Sequence, residues 1–128
     1  MLDKVILDAD FCIKVGRFEG LPLLQEIIPV IASKAYIHRY VFEDEILIPQ
    51  SAKAQVQRLI DMGQAELIDE ASFNMAEKAI FLGTRDKLKR AMIGTVERGK
   101  NWGEALSLAC AKTMGITIMM SDEVVCRV

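Results

Sequence analysis

Trp102-Gly103-Glu104-Ala105-Leu106-Ser107-Leu108-Ala109-Cys110-Ala111-Lys112-Thr113-Met114-Gly115-Ile116-Thr117-Ile118-Met119-Met120-Ser121-Asp122 is the stretch whose reading decides the fold. Gly103–Met114 has helical periodicity with an Ala-rich face (Ala105, Ala109), and Gly115 stands where a helix ends on a C′ glycine. Ile116–Met120 then forms a mostly apolar run, as a strand does when its sheet is covered on both faces. A helix that hands over directly to such a strand is the unit of a parallel sheet with crossover helices. Asp122 closes the unit, just after Ser121.

The same pattern recurs upstream. Val5-Ile6-Leu7 is a continuous apolar run ending on Asp8. Phe11–Val15 is predicted as a short helix ended by Gly16. A second helix begins near Gly20, carries Pro22 in its first turn and stops before Pro29. Ala35–Ile37 is the next strand, followed by a helix over Tyr40–Leu47 and a break at Pro49. Ser51 is expected to cap a helix that presents Val56, Leu59 and Ile60 and ends at Gly63. Glu66-Leu67-Ile68 is a short third strand. From Ser72 to about Val96 the pattern is helical, predicted as two helices broken at Gly83-Thr84. Gly99-Lys100-Asn101 then turns into the last helix.

Alternation of this kind predicts an α/β three-layer sandwich, a mostly parallel central sheet of four to five strands flanked by helices. Six residues follow Asp122, so a fifth strand and its preceding helix are expected to be absent or very short. At 128 residues the chain is expected to be a single domain spanning 1–128. Hydrophobic content of 52% with 27% charged residues excludes a disordered chain. No apolar run approaches the roughly 20 residues that span a bilayer, and no signal peptide is expected at the N-terminus. Three scattered cysteines (Cys12, Cys110, Cys126) without CxxC spacing point to free thiols in a reducing compartment, with cytoplasm as the expected location.

Four acids mark the sites where chemistry is expected. Asp8 and Asp122 close strands, Glu104 opens a helix, and Glu45 lies in the helical stretch after Tyr36-Ile37. In a parallel sheet, strand C-ends and helix N-ends share one rim, where ligands bind. Carboxylates gathered there repel one another by roughly 4 kcal/mol per pair at about 4 Å and an effective dielectric of about 20. A divalent cation removes that cost. Carboxylates without histidine or thiolate partners suit hard cations, Mg²⁺ or Mn²⁺. Such ions lower the pKa of bound water and clamp a phosphodiester for in-line hydrolysis. In this scheme Asp8, Glu104 and Asp122 hold the metal, and Glu45 is a further ligand or orients the attacking water. Asp10, Asp44 and Ser121 are secondary candidates.

Each acid also has a structural explanation. Asp10 suits a helix N-cap, whereas Asp8 still belongs to a strand end. Glu104 in a first turn is favoured by the helix dipole, worth roughly 0.3–1 kcal/mol. Only one or two of Glu43-Asp44-Glu45 can face inward. Glu45, four residues after Val41, borders the apolar stripe, with Asp44 as its substitute and Glu43 solvated. His38, the single histidine, reads as a hydrogen-bonded residue more than a catalytic one, and Trp102 as packing against its helix start. No Ser-His-Asp arrangement, P-loop or GxGxxG occurs.

The net charge of −2 argues against a broadly basic nucleic-acid binder, yet Arg85, Lys87, Lys89, Arg90, Arg98 and Lys100 fall within sixteen positions. That stretch reads as a solvated helix face, or as a guide for a phosphate backbone, with Arg85, Lys87, Lys89 and Arg90 as RNA-contact candidates.

Val5-Ile6-Leu7-Asp8, Tyr40-Val41-Phe42-Glu43-Asp44-Glu45-Ile46-Leu47, and Gly103–Ala111 followed by Met114-Gly115-Ile116 and Ser121-Asp122 together resemble the PIN-domain family of metal-dependent ribonucleases, especially VapC-type toxins. The likeness covers essentially the whole chain. It implies an RNA endonuclease that uses Mg²⁺ or Mn²⁺, often a homodimer held inactive by an antitoxin. The position two after the first acid, commonly Asn, Ser or Thr in that family, is Asp10 here. The alternatives are a haloacid-dehalogenase-like phosphatase, whose DxD start Asp8 and Asp10 would match, and a PIN-like binding module without catalysis.

Overall fold

A computed structural model describes residues 2–91, 102–121 and 125–127. Four parallel strands form its centre: β1 (Leu2–Leu7), β2 (Ala32–His38), β3 (Ala65–Ile68) and β4 (Ile118–Met120). A fifth, β5 (Val125–Arg127), pairs antiparallel with β4, and the spatial order is β3-β2-β1-β4-β5. The fold is thus the α/β sandwich with a mostly parallel sheet that the alternation predicts, and the fifth strand is three residues long.

Both faces of the sheet are covered, and side-chain alternation shows how. Val5 and Leu7 of β1, Ala35 and Ile37 of β2 and Met120 of β4 join one core. That core is closed by α1 (Ala9–Gly16), α2 (Leu23–Ile31) and α3 (Gln50–Asp61). Ile6, Tyr36 and Met119 point the other way, into a second core closed by α4 (Met75–Ala91) and α5 (Trp102–Met114). Because successive residues face opposite layers, the strands must be apolar throughout, which is why they read as unbroken runs. Ala105, Ala109 and Ala111 of α5 are at most 1% exposed, so this small-residue helix lies close to the sheet.

Several element boundaries differ from the sequence reading. The helix expected over Tyr40–Leu47 is a single π-helical turn, Val41–Glu45, closed by the Ile46 N–H donating to the Val41 carbonyl at 3.0 Å. The wider turn brings both Val41 and Ile46 into the core, each 0% exposed, and leaves Glu45 at its margin. α2 does not stop before Pro29 but runs on to Ile31, because a proline near a helix end forfeits one hydrogen bond without breaking the turn. Ser51 is not the cap of α3: Pro49 occupies that position, and Ser51 lies in the first turn. The break expected at Gly83-Thr84 is absent, and α4 is continuous across it. Gly83 is exposed on that helix, where glycine lowers helix propensity by about 1 kcal/mol without ending it. Gly63 and Gly115, with φ of 76° and 73°, do end α3 and α5 in the left-handed conformation expected of them.

One buried polar side chain ties the first layer together. Gln55 of α3 is 6% exposed. Its Oε1 accepts from the Leu24 N–H at 3.1 Å, and its Nε2 donates to the carbonyls of Gly16 (3.2 Å) and Leu21 (3.0 Å). The α1–α2 connection is thereby fastened to α3, whose Ala52 passes too close to Gly16 for any Cβ there. Replacing Gln55 by Leu takes this partner from the Leu24 N–H and the Gly16 carbonyl, while the Leu21 carbonyl keeps the Leu23 N–H at 2.8 Å, and we expect a loss of about 2–4 kcal/mol in denaturant unfolding with no change in the acid rim.

Candidate functional site

His38 ends β2, and Asp8, the Val41–Glu45 turn, Asp69 and Ser121 follow the C-ends of parallel strands. α1–α3 connect β1, β2 and β3 in one direction across the sheet, whereas β4 lies on the other side of β1. The direction of winding reverses between β1 and β4, and crevices of α/β sheets open at such points. Asp8 stands at that point. It is buried, at 8% exposure, and its N–H donates to the Met120 carbonyl at 3.1 Å, which fixes the ends of β1 and β4 side by side. Asp8 occupies the N-cap position of α1 without making a side-chain cap bond there.

Glu45 carries the strongest electrostatic signature on this rim. Burial, then repulsion from Asp8, Asp10, Asp44 and Glu104, pushes its carboxyl up to about 7. Its Oε1 is buried and has no hydrogen-bond partner among the described residues. The carboxylate is pressed against Gly103 of α5 so closely that a Cβ at that position would overlap it. The sequence pair Gly103-Glu104 therefore serves both sides of the contact. Gly103 admits Glu45, and Glu104 in the same first turn adds its own charge.

The structure thus brings Asp8, Glu45 and Glu104 into one electrostatic group, with Asp10 and Asp44 as exposed members. Asp122 lies outside the described residues; Ser121, which precedes it, is partly buried at the end of β4. Among the described residues no set of three or more His, Cys, Asp or Glu side chains is arranged to hold a metal ion. The donor chemistry nevertheless fits a hard cation: oxygen ligands only, one of them a buried oxygen without a partner, under mutual repulsion. Cys12 and Cys110 are buried free thiols. Burial first, then Asp8, raises the Cys12 thiol, and burial raises Cys110 to about 12, so neither is a thiolate at neutral pH.

His38 is buried and fully hydrogen-bonded. Its Nδ1 accepts from the Tyr40 N–H at 3.0 Å, and its Nε2 lies 3.0 Å from Glu70 Oε2. It anchors the backbone where the turn bearing Glu45 begins. Arg39 clamps the same region, donating to Asp69 Oδ2 at 2.9 Å and to Glu43 Oε1 at 3.2 Å. Glu43 is thus exposed, as expected of it, and in addition ion-paired with Arg39. The basic candidates Lys87, Lys89 and Arg90 are exposed on α4, and Arg85 pairs with Asp86 at 3.2 Å. They lie beyond Lys78, the α4 cation that lines the rim, by about 10 Å or more of helix axis. Arg98 and Lys100 lie outside the described residues. Arg39 and Lys78 carry no signal in the sequence that marks them as site residues, and Gly103 enters the sequence reading only within the stretch that carries the family resemblance; a glycine inside a first helical turn, unfavourable by about 1 kcal/mol, is the signal for its role.

No family model matches the chain, and no solved structure matches it. Over 73 residues, 54% of the chain, it is 33% identical to a segment of a protein described as serine/threonine-protein kinase pkn2 of Myxococcus xanthus. The chain spans 9% of that kinase's length.

Two measurements probe this geometry. In EDTA, Glu45 holds its proton more tightly folded than unfolded, so the folded state binds more protons between the ordinary value of 4.5 and about 7. Stability then falls as pH rises through that window, by about 1–2 kcal/mol after solvent screening, and Glu45→Gln flattens the curve. Gly103→Ala is expected to displace the Glu45 carboxylate and to abolish this pH dependence while leaving α5 helical by circular dichroism.

Proposed function

We propose that the chain is a divalent-metal-dependent endoribonuclease of the PIN type. The observation that carries this reading is the Glu45 carboxylate, seated against Gly103, repelled by Asp8 and Glu104 and missing a partner at Oε1. A group of acids held together at such a cost suits a cation, and a parallel-sheet rim suits a ligand. Asp8, Glu104 and Asp122 would hold Mg²⁺ or Mn²⁺. When bound, the ion would supply charge neutralisation at the phosphodiester and a more acidic water.

The protein's own residues have separate tasks. Asp8 and Glu104 present charge from two elements fixed by the sheet and by α5. Glu45, poised near neutrality in the absence of metal, is suited to take the proton of an attacking water as the P–O bond of RNA breaks. Arg85, Lys87, Lys89 and Arg90 would meet the phosphate backbone several nucleotides away from the point of cleavage. That separation exceeds the Debye length of about 8 Å at physiological salt, so they would act on an extended strand more than on the scissile phosphate.

A homodimer and an antitoxin-like protein partner belong to the same proposal, as does a cytoplasmic setting. The apolar side chains exposed on α4, among them Met75 at 91% and Ile80 at 49%, are compatible with a protein partner. No helix among the described residues is long and apolar enough to cross a membrane. The kinase segment is too small a part of that protein to bring phosphotransfer to this chain.

The test combines calorimetric Mn²⁺ titration with cleavage of single-stranded RNA. Wild type is expected to bind Mn²⁺ and cut RNA. Asp8→Asn and Glu104→Gln are expected to weaken metal binding at least tenfold, and Glu45→Gln to lower cleavage by about 10²-fold or more. Undiminished Mn²⁺ affinity in both ligand variants would overturn the proposal. So would turnover of a small phosphomonoester without RNA cleavage, which would favour the phosphatase. RNA binding without cleavage by metal-loaded protein would favour the binding module.

A further inference from the structure

Beside the acid group, on the same rim, opens a concavity of about 380 Å³. Its walls are the C-end of β2, the Val41–Glu45 turn, the Glu70–Ser72 turn and the start of α4. Most of its polar groups are already engaged. Arg39 holds Asp69 and Glu43, and His38 holds Glu70. The Tyr40 N–H occupies His38 Nδ1, which places the imidazole proton on Nε2, towards Glu70. The side chains of two wall residues, Asp44 and Lys78, are wholly unengaged, making no hydrogen bond or ion pair with other described residues. Tyr40, half-buried against the second core, also lines the concavity.

An entering molecule therefore meets, besides the engaged groups, one unengaged carboxylate that only accepts and one unengaged ammonium that only donates, with Tyr40 beside them. Four carboxylates (Glu43, Asp44, Asp69 and Glu70) outnumber the two cations Arg39 and Lys78, so the concavity is net negative. A phosphate is repelled, and a neutral group rich in N–H donors is favoured. The volume is that of a small-ligand pocket, enough for a base and part of its ribose.

We propose that this concavity is a base-recognition subsite that takes guanine from single-stranded RNA. Guanine alone among the four bases presents two adjacent donors, N1–H and N2–H, which match the two oxygens of Asp44. On its other side O6 and N7 accept, which matches Lys78. Adenine and cytosine set an acceptor nitrogen beside their single exocyclic donor, and uracil flanks N3–H with two carbonyls, so each turns at least one lone pair towards the carboxylate. Stacking of an unpaired base on Tyr40 is the usual way that single-stranded RNA is held. The choice of RNA as the source of the base rests on the nuclease reading; the recognition chemistry does not.

The test uses nucleosides, which carry no phosphate, with the full chain in EDTA. Guanosine, adenosine, cytidine and uridine are titrated into ¹⁵N-labelled protein, and amide shifts are followed. Guanosine is expected to bind at least about fivefold more tightly than the others, with the largest shifts at Tyr40, Asp44 and Lys78. Asp44→Asn and Lys78→Met should each remove the preference, and Tyr40→Leu should weaken all four. Both Asp44 and Lys78 are exposed, and the amide spectra verify that the variants fold. Absence of binding, equal binding of the four nucleosides, or a guanosine preference that survives both Asp44→Asn and Lys78→Met would overturn the subsite. RNA cleavage without guanosine preference overturns the subsite and leaves the nuclease reading standing. Guanosine preference without cleavage does the reverse.

Discussion

The contact between the Glu45 carboxylate and Gly103 is the constraint on which the rim depends. A carboxylate half-withdrawn from water, beside Asp8 and Glu104, is costly to ionise, and the protein holds it there by packing. Val41 and Ile46 anchor the turn on either side of it, and the i to i+5 hydrogen bond between them sets the width of that turn. π-helical turns of this kind concentrate at functional sites because they redirect one side chain without dismantling the element. Here the redirected side chain is Glu45. On the opposing element, the second residue of α5, Gly103, is the one residue type that leaves space for it.

The rest of the rim is arranged around that contact. His38 receives the Tyr40 N–H and thereby sets the entry of the turn, while Arg39 ties the turn to Asp69. Asp69 is held below the usual carboxylate range by its hydrogen bond from Arg39, so it stays ionised and the clamp persists at mildly acidic pH. Exposed ion pairs of this type add little stability. Their value lies in position: they hold the β2 and β3 ends and the turn in one register, leaving Asp44 and Lys78 unengaged at the edge.

Much of this was legible in the residues. Val5-Ile6-Leu7 and Ile118-Met119-Met120 announce strands buried on both faces, because each alternate residue enters a different core. Gly63 and Gly115 mark helix ends because they adopt positive φ, which side chains with a Cβ resist. Gly83, with the same composition signal, sits inside a helix: it is exposed, and the neighbouring turns of α4 carry the hydrogen bonds through it. Pro29 likewise looks like a stop and is an interior residue of a last turn. Punctuation residues state a local preference, and the packing of the whole helix against its layer decides whether the preference prevails.

Among the acids, the division falls between charge and distance. Which carboxylates follow strands and which open helices can be counted along the chain, since strand and helix periods place them at one end of a parallel sheet. That Glu45, and not Asp44, turns towards Asp8 and Glu104 depends on a π-helical turn that no local pattern announced. The partner of Glu45 lies fifty-eight positions further along, at Gly103. Periodicity therefore determined the layers, the strands and the side of the sheet on which the acids gather. Only the tertiary structure decided which carboxylate is buried and what it touches, because burial is set by contacts between segments that are remote in sequence.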